Sequence, residues 1–149
     1  MLPPNDPLAV TYDVPAQLLH LTGQDPRMPA IVLVDDEPDV LTILHRLLRD
    51  LAEDHALTGV SNGQAALEMI ALFQVRLLIT DYNMLGMDGL QLIQSVKQAS
   101  PQTRTVLITA YDSPELQRRV RAAHVDYYLA KPFALERLER IVREALSAD

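Results

Sequence analysis

The sequence predicts an α/β protein: a five-stranded parallel sheet covered by helices on both faces. Three observations lead there. Short apolar, β-branched runs such as Ile31-Val32-Leu33-Val34 recur between turn-forming or acidic residues, as strands buried on both faces should. Segments with apolar residues three and four apart alternate with these runs. Right-handed crossovers would bring the carboxyl ends of such strands to one rim, and several of those ends carry distinctive polar groups.

Residues 1–29 stand apart from this pattern, with Pro3, Pro4, Pro7, Pro15, Pro26 and Pro29 discouraging long helices and central strands. They read as a proline-rich, flexible extension to a domain over 30–149. An alternative is a short helix over Val14–Leu21 whose leucines dock on the domain or on a partner. The first strand is Ile31–Val34, and Pro38 suits the first position of a helix running to about Asp50, with Val40, Leu44, Leu47, Leu48 and Leu51 at helical spacing. A strand over Leu57–Val60 and a turn at Ser61-Asn62-Gly63 precede a helix from Gln64 to about Phe73. The third strand is Val75–Thr80, which leaves Asp81 at its carboxyl end.

After the loop Tyr82–Gly89, residues Leu90–Ala99 are helical and Ser100-Pro101 ends the helix. Thr105–Ile108 is the fourth strand. Ser113-Pro114-Glu115 combines an N-cap, a proline at the first helical position and an early acid, so a helix runs to about Ala123. Its apolar stripe is thin (Leu116, Val120, Ala123), which predicts a weakly held element. The last strand is Val125–Leu129. A strongly periodic helix over Ala134–Leu146 follows, with Glu136–Arg140 and Glu139–Arg143 as i,i+4 pairs.

The 149 residues, 48% hydrophobic and 22% charged, fit one domain with a substantial core. A formal charge of −7 argues against non-specific nucleic-acid binding and suits a carboxylate cluster that needs a cation. Absence of cysteine excludes disulfides, thiolate metal sites and thiol catalysis. With no leader-like start and no uninterrupted apolar span, the sequence reads as soluble and cytoplasmic, with no membrane partner.

Chemistry concentrates at the rim. Asp35 and Asp36 follow the first strand, Asp81 the third, Thr109 ends the fourth and Lys131 follows the fifth. Converging carboxylates repel, and a hard cation such as Mg²⁺, which keeps several waters, relieves the repulsion. A carboxylate, a metal, an ammonium and a hydroxyl around one phosphoryl group is an arrangement for phosphoryl transfer, with Asp81 attacking in line and becoming an aspartyl phosphate.

The blocks Val34-Asp35-Asp36-Glu37, Asp81-Tyr82-Asn83-Met84, Gly86-Met87-Asp88-Gly89, Thr109-Ala110 and Lys131-Pro132-Phe133 resemble, in order and spacing, a response-regulator receiver domain of two-component signalling. The resemblance covers Ala30 to about Leu146. It implies a flavodoxin-like (βα)5 fold with strand order 2-1-3-4-5 and phosphorylation of Asp81 by a histidine kinase or phosphotransfer protein. It also implies Mg²⁺ on Asp36, Asp81 and the Asn83 carbonyl, with Asp35 acting through water. Thr109 and Lys131 would contact the phosphoryl group, the Lys131-Pro132 bond would be cis, and Tyr128 would be the switch aromatic. The helix 4/strand 5/helix 5 surface would move, contacting a downstream protein or a second copy.

Two positions depart from the family pattern. Leu85 replaces the usual proline, which would loosen the loop, and His124 stands where glycine is common. The resemblance also implies that Asn83 and Tyr111 stand where the family tunes access of hydrolytic water. The chain ends just after the fifth helix, from which a stand-alone regulator acting by protein contact or phosphorelay is expected.

Other readings attach to the same residues. Tyr128 could be a plain strand aromatic, Met84 and Met87 read as core anchors, and the four histidines lack metal-ligand spacing. The arginines at 118, 119, 121, 137, 140 and 143 form either a solvated face or a partner surface. A flavodoxin-like cofactor binder would want a phosphate loop where Asp-Asp-Glu stands. An Asp-nucleophile Mg²⁺-dependent phosphatase would carry a second acid where Asn83 stands, and a receiver-like interaction module without phosphorylation would have lost part of this set.

Overall fold

In the computed structural model, which describes residues 28–147, strands and helices alternate along the chain. They are β1 (Ala30–Val34), α1 (Pro38–Ala52), β2 (Ala56–Val60), α2 (Gly63–Leu72), β3 (Val75–Asp81), α3 (Gly89–Ala99), β4 (Arg104–Thr109), α4 (Pro114–Ala122), β5 (Tyr127–Ala130) and α5 (Leu135–Ser147). The strands form one parallel sheet in the order β2-β1-β3-β4-β5, as expected. The helix considered for residues 14–21, and nearly all of the extension, lie outside the described residues.

Alternation along each strand divides the core into two layers. Ile31, Leu33, Leu77, Ile79, Val106, Ile108 and Leu129 pack with α1 and α5 on one face. Val32, Val34, Leu78 and Leu107 pack with α2, α3 and α4 on the other. In α1 the buried stripe is Leu44, Leu48 and Ala52. Leu47, expected on that stripe, is instead 40% exposed beside Ile43 at 53%. The two are four residues apart and form a second apolar stripe adjoining the buried one.

Local chemistry sets the helix ends. Pro38 opens α1 at its first turn. The Asn62 side chain accepts from the Ala65 N–H at 2.8 Å, and Ser113 Oγ accepts from the Leu116 N–H at 3.0 Å. Asp88 and Gln91 form a reciprocal capping box at the start of α3. His124 has φ +58°, the left-handed backbone that favours glycine.

The fifth strand begins at Tyr127, two residues later than its sequence predicts. Side chains replace the ladder there. Asp126 Oδ2 accepts from the Thr105 N–H (2.8 Å), the Thr105 hydroxyl (3.1 Å) and Lys97 Nζ (2.6 Å), while the Asp126 N–H donates to Thr105 Oγ1 at 3.2 Å. Lys97 also donates to the Thr103 carbonyl at 3.1 Å. Burial pushes the Asp126 carboxyl up, but the bonds from Lys97 and Thr105 outweigh it and hold the group below the usual carboxylate range.

This knot ties α3 to the entry of β5. Asp126→Ala strips Lys97 and Thr105 of an acceptor and should cost about 1–3 kcal/mol at neutral pH, read as a lower thermal midpoint. Because the folded-state pKa is depressed, the Asp126 contribution is complete above the unfolded value near pH 4 and fades as pH falls through the folded value. The stability gap between wild type and variant should therefore narrow on the acid side. A gap that stays constant from neutrality into strong acid would contradict the knot's charged character.

Candidate functional site

The strand register assembles the rim. Val34 lies opposite Thr80, Asp81 opposite Ile108, and Thr109 opposite Ala130. Asp35, Asp81, Thr109 and Lys131 therefore emerge from neighbouring strands. The Lys131 N–H donates to the Thr109 carbonyl at 2.7 Å, extending β4–β5 pairing to the lysine itself. The Lys131-Pro132 bond that follows is cis.

Lys131 Nζ lies 3.6 Å from Asp81 Oδ1. Asp35 is 4% exposed and its Oδ1 accepts from the Glu37 N–H at 2.9 Å. Desolvation pushes the Asp35 carboxyl up, the Glu37 N–H opposes it, and the Asp81 charge raises it further. Desolvation also raises Asp81, against the pull of Lys131 and the Asn83 backbone N–H. Two partly desolvated acids thus lie within reach of each other's charge and of one ammonium.

Asp36 is half-buried and Asn83 exposed on the open side of this pair. Asp36 Oδ2 accepts from the Leu85 N–H at 3.2 Å. Among the described residues no three acidic or histidine side chains close into a metal cage. A donor set of one or two carboxylates completed by a carbonyl and water is nevertheless what Mg²⁺ takes. Asp35 and Asp81, both pushed up by desolvation, would be relieved by a neighbouring positive charge, so the residues present fit a hard cation.

Leu85 is 87% exposed. Its expected effect, a looser loop, is not what its backbone does: the N–H that a proline would lack ties the loop to Asp36. Gly86 takes φ +74° in the same loop. At Gly89 a Cβ would overlap the Asp81 carbonyl oxygen and stand 2.9 Å from a Leu107 methyl, so α3 approaches the acid's backbone where glycine alone fits. Met84 is buried and Met87 packs against the core, both as anticipated.

Thr109 is buried, and its Oγ1 accepts from the Tyr111 N–H at 2.9 Å. Tyr111 itself is 66% exposed. Half-buried Tyr128 donates its hydroxyl to Asp112 Oδ1 at 2.6 Å. Burial and that acceptor push the phenol well up, while the Tyr128 and Gln117 bonds hold Asp112 below its usual range.

Sequence reasoning missed Asp112, and it missed Tyr82, whose hydroxyl accepts from Arg119 at 3.1 Å. Arg119, exposed on α4, thus also ties that helix to the residue beside Asp81. Neither pair has sequence spacing that would announce it. Of the two pairs expected on α5, Arg143–Glu139 forms at 3.9 Å. No helix of the described residues is long and apolar enough to cross a membrane.

The model of the response regulator receiver domain matches residues 31–143. Response regulator protein PilR of Pseudomonas aeruginosa is 34% identical over 115 residues, which are 77% of this chain and 25% of PilR. Sensor histidine kinase GacS of Pseudomonas protegens is 31% identical over 121 residues, 78% of this chain and 13% of GacS. The chain therefore spans a quarter or less of the length of these two relatives. Among solved structures, the signal receiver domain of an HD domain-containing protein from Pseudomonas fluorescens Pf-5 superposes with a TM-score of 0.73 at 30% identity, covering 80% of this chain and 95% of that one. The Vibrio cholerae chemotaxis protein CheY4 gives 0.71 at 24% identity over 79% and 98%, a likeness of fold. A five-stranded sheet in this order, the acids and lysine at its rim and a family match over most of its length together mean that the chain belongs to the response regulator receiver domain family of two-component signal transduction.

Proposed function

We propose that this receiver domain takes a phosphoryl group on Asp81 from a histidine kinase or phosphotransfer protein and passes the event to protein partners through α4, β5 and α5. The observation that carries the proposal is the Asp81 carboxylate lying beside buried Asp35 with Lys131 Nζ at 3.6 Å. An Asp81 oxygen attacks phosphorus, the P–N bond of a phosphohistidine breaks, and the imidazole leaves with the bonding pair and is protonated. Lys131 neutralises charge on one phosphoryl oxygen. The Thr109 hydroxyl exchanges its Tyr111 N–H partner for another of those oxygens, donating to it.

Asp36, Asp81 and the Asn83 carbonyl would hold Mg²⁺, with Asp35 acting through water. Bound there, Mg²⁺ supplies the remaining neutralisation of phosphoryl charge. The polypeptide's part is to place the acid in line and keep the ammonium close. This is self-catalysed transfer by a receiver, not turnover of a separate substrate.

Movement of Thr109 pulls the loop that carries Tyr111 and Asp112, and Asp112 holds Tyr128. Tyr128 is therefore the switch aromatic and Asp112 its latch in the present state. The surface that changes offers a face to a downstream protein or a second copy. A cytoplasmic location and no direct contact with nucleic acid accord with this role.

With Mg²⁺ and a small-molecule phosphodonor, intact mass should show one phosphate on wild type and none on Asp81→Asn. Labelling absent from wild type across several donors would favour an interaction module without phosphorylation. Without donor, Mg²⁺ at ten times its dissociation constant should stabilise the wild type by about 1.4 kcal/mol, and Asp36→Asn should remove most of that gain in a thermal melt. An unchanged gain in Asp36→Asn would move the cation elsewhere. Tyr111 partly screens the phosphoryl group from water, so Tyr111→Ala should dephosphorylate faster; an unchanged rate would refute the screening.

A further inference from the structure

The amino-terminal ends of β3 and β4 flank a cleft of about 490 Å³, at the end of the sheet away from Asp81. That volume falls in the range of small-molecule sites, about 300–1,000 Å³. Arg76 and Arg104 line the cleft with Gln74, Gln102 and Ala145 of α5, and its described lining carries no carboxylate. In a chain of formal charge −7, two guanidiniums at one cleft are a local reversal of sign.

Strand register brings the two arginines together. Leu77 lies opposite Arg104, so Arg76 is one residue out of step on the neighbouring strand, and such strands run about 4.8 Å apart. Arg104 precedes Val106 by two residues and shares its face of the sheet, the one that α5 covers. Arg76 reaches the same helix: its Nη2 donates to the Leu146 carbonyl, in the last turn of α5, at 3.0 Å. Both arginines are half-buried, which limits the conformations they sample.

Their structural ties leave most of their donors unused. A guanidinium has five N–H groups. Arg76 gives one to α5. Arg104 Nη1 stands 3.7 Å from Asp126 Oδ1, beyond hydrogen-bond range, and that carboxylate is already held by Lys97 at 2.6 Å and by Thr105. Among the described residues the Arg104 guanidinium has this one ionic neighbour.

We propose that the cleft binds a small phosphorylated molecule, with Arg76 and Arg104 each taking one of two anionic groups. Phosphate suits these donors, because a planar guanidinium presents paired N–H groups to its oxygens. Gln74 and Gln102, both exposed, supply amide donors at the mouth. The cleft and Asp81 lie at opposite ends of the same strands, so a ligand here does not compete with chemistry at the acceptor. The inference does not rest on the acceptor reading.

The probe is inorganic pyrophosphate, added to the full chain in EDTA at constant ionic strength and followed by amide NMR. Saturable shifts should centre on Arg76, Gln102 and Arg104. Arg76→Gln and Arg104→Gln should each weaken binding about tenfold, the loss of one charge-assisted bond. Gln102→Glu leaves both arginines in place and should also weaken binding, by repulsion, which keeps the test decisive if an arginine variant does not fold. Shifts centred on Thr109 and Lys131 would put the anion at the acceptor rim and overturn the proposal. So would an affinity that these substitutions leave unchanged, or no saturation at about 10 mM pyrophosphate.

Discussion

Placing two carboxylates in a partly desolvated crevice is the constraint around which the rim is built. Asp35 and Asp81 leave adjacent strands at the same level, so the parallel register that makes the core also forces the acids together. Their burial raises both, and the fold answers with one ammonium, at 3.6 Å from Asp81, and with backbone donors at Glu37 and Asn83. These neutralise only part of the charge. An incompletely satisfied pair of acids costs stability, and a ligand that relieved this cost would shift the equilibrium of the structure.

At the opposite end of the sheet a half-buried carboxylate is compensated by its neighbours. The Asp126 carboxylate sits among Lys97, the Thr105 N–H and the Thr105 hydroxyl, and its pKa falls where those at the rim rise. Ser100 and Thr103 share a hydrogen bond at 2.7 Å, and Thr103 reaches the Val75 carbonyl at 2.7 Å. The molecule thus carries a compensated carboxylate at one end of the sheet and an under-compensated pair at the other. Between them, α4 buries only Leu116 and Val120 and depends on Arg119–Tyr82 and Gln117–Asp112 for its remaining ties. A helix held so has few buried anchors to resist a shift of the loop beside it.

Much of this was legible in the sequence because the informative features are local. Strand cores announce themselves by β-branched runs, helix starts by Pro38 and Ser113, and the rim by acids that directly follow apolar strands. The resemblance to the receiver family then supplied the sheet order. What escaped notice is what no spacing encodes. Asp112 meets Tyr128 and Arg119 meets Tyr82 across segments distant in sequence, and the start of β5 depends on side chains of β4 and α3. Leu47 misled for another reason: helical spacing identifies an apolar face but not how wide a strip the sheet covers.

The contact between the Leu85 N–H and Asp36 separates what a position contributes through its side chain from what it contributes through its peptide. The leucine side chain stands almost wholly in solvent, and the hydrogen bond belongs to the backbone. Nineteen residue types would give the same bond and one would not. A comparison scored by side-chain similarity would see free variation there, while the chemistry recognises a two-letter alphabet, proline and everything else, that sets whether the acid loop has a leash.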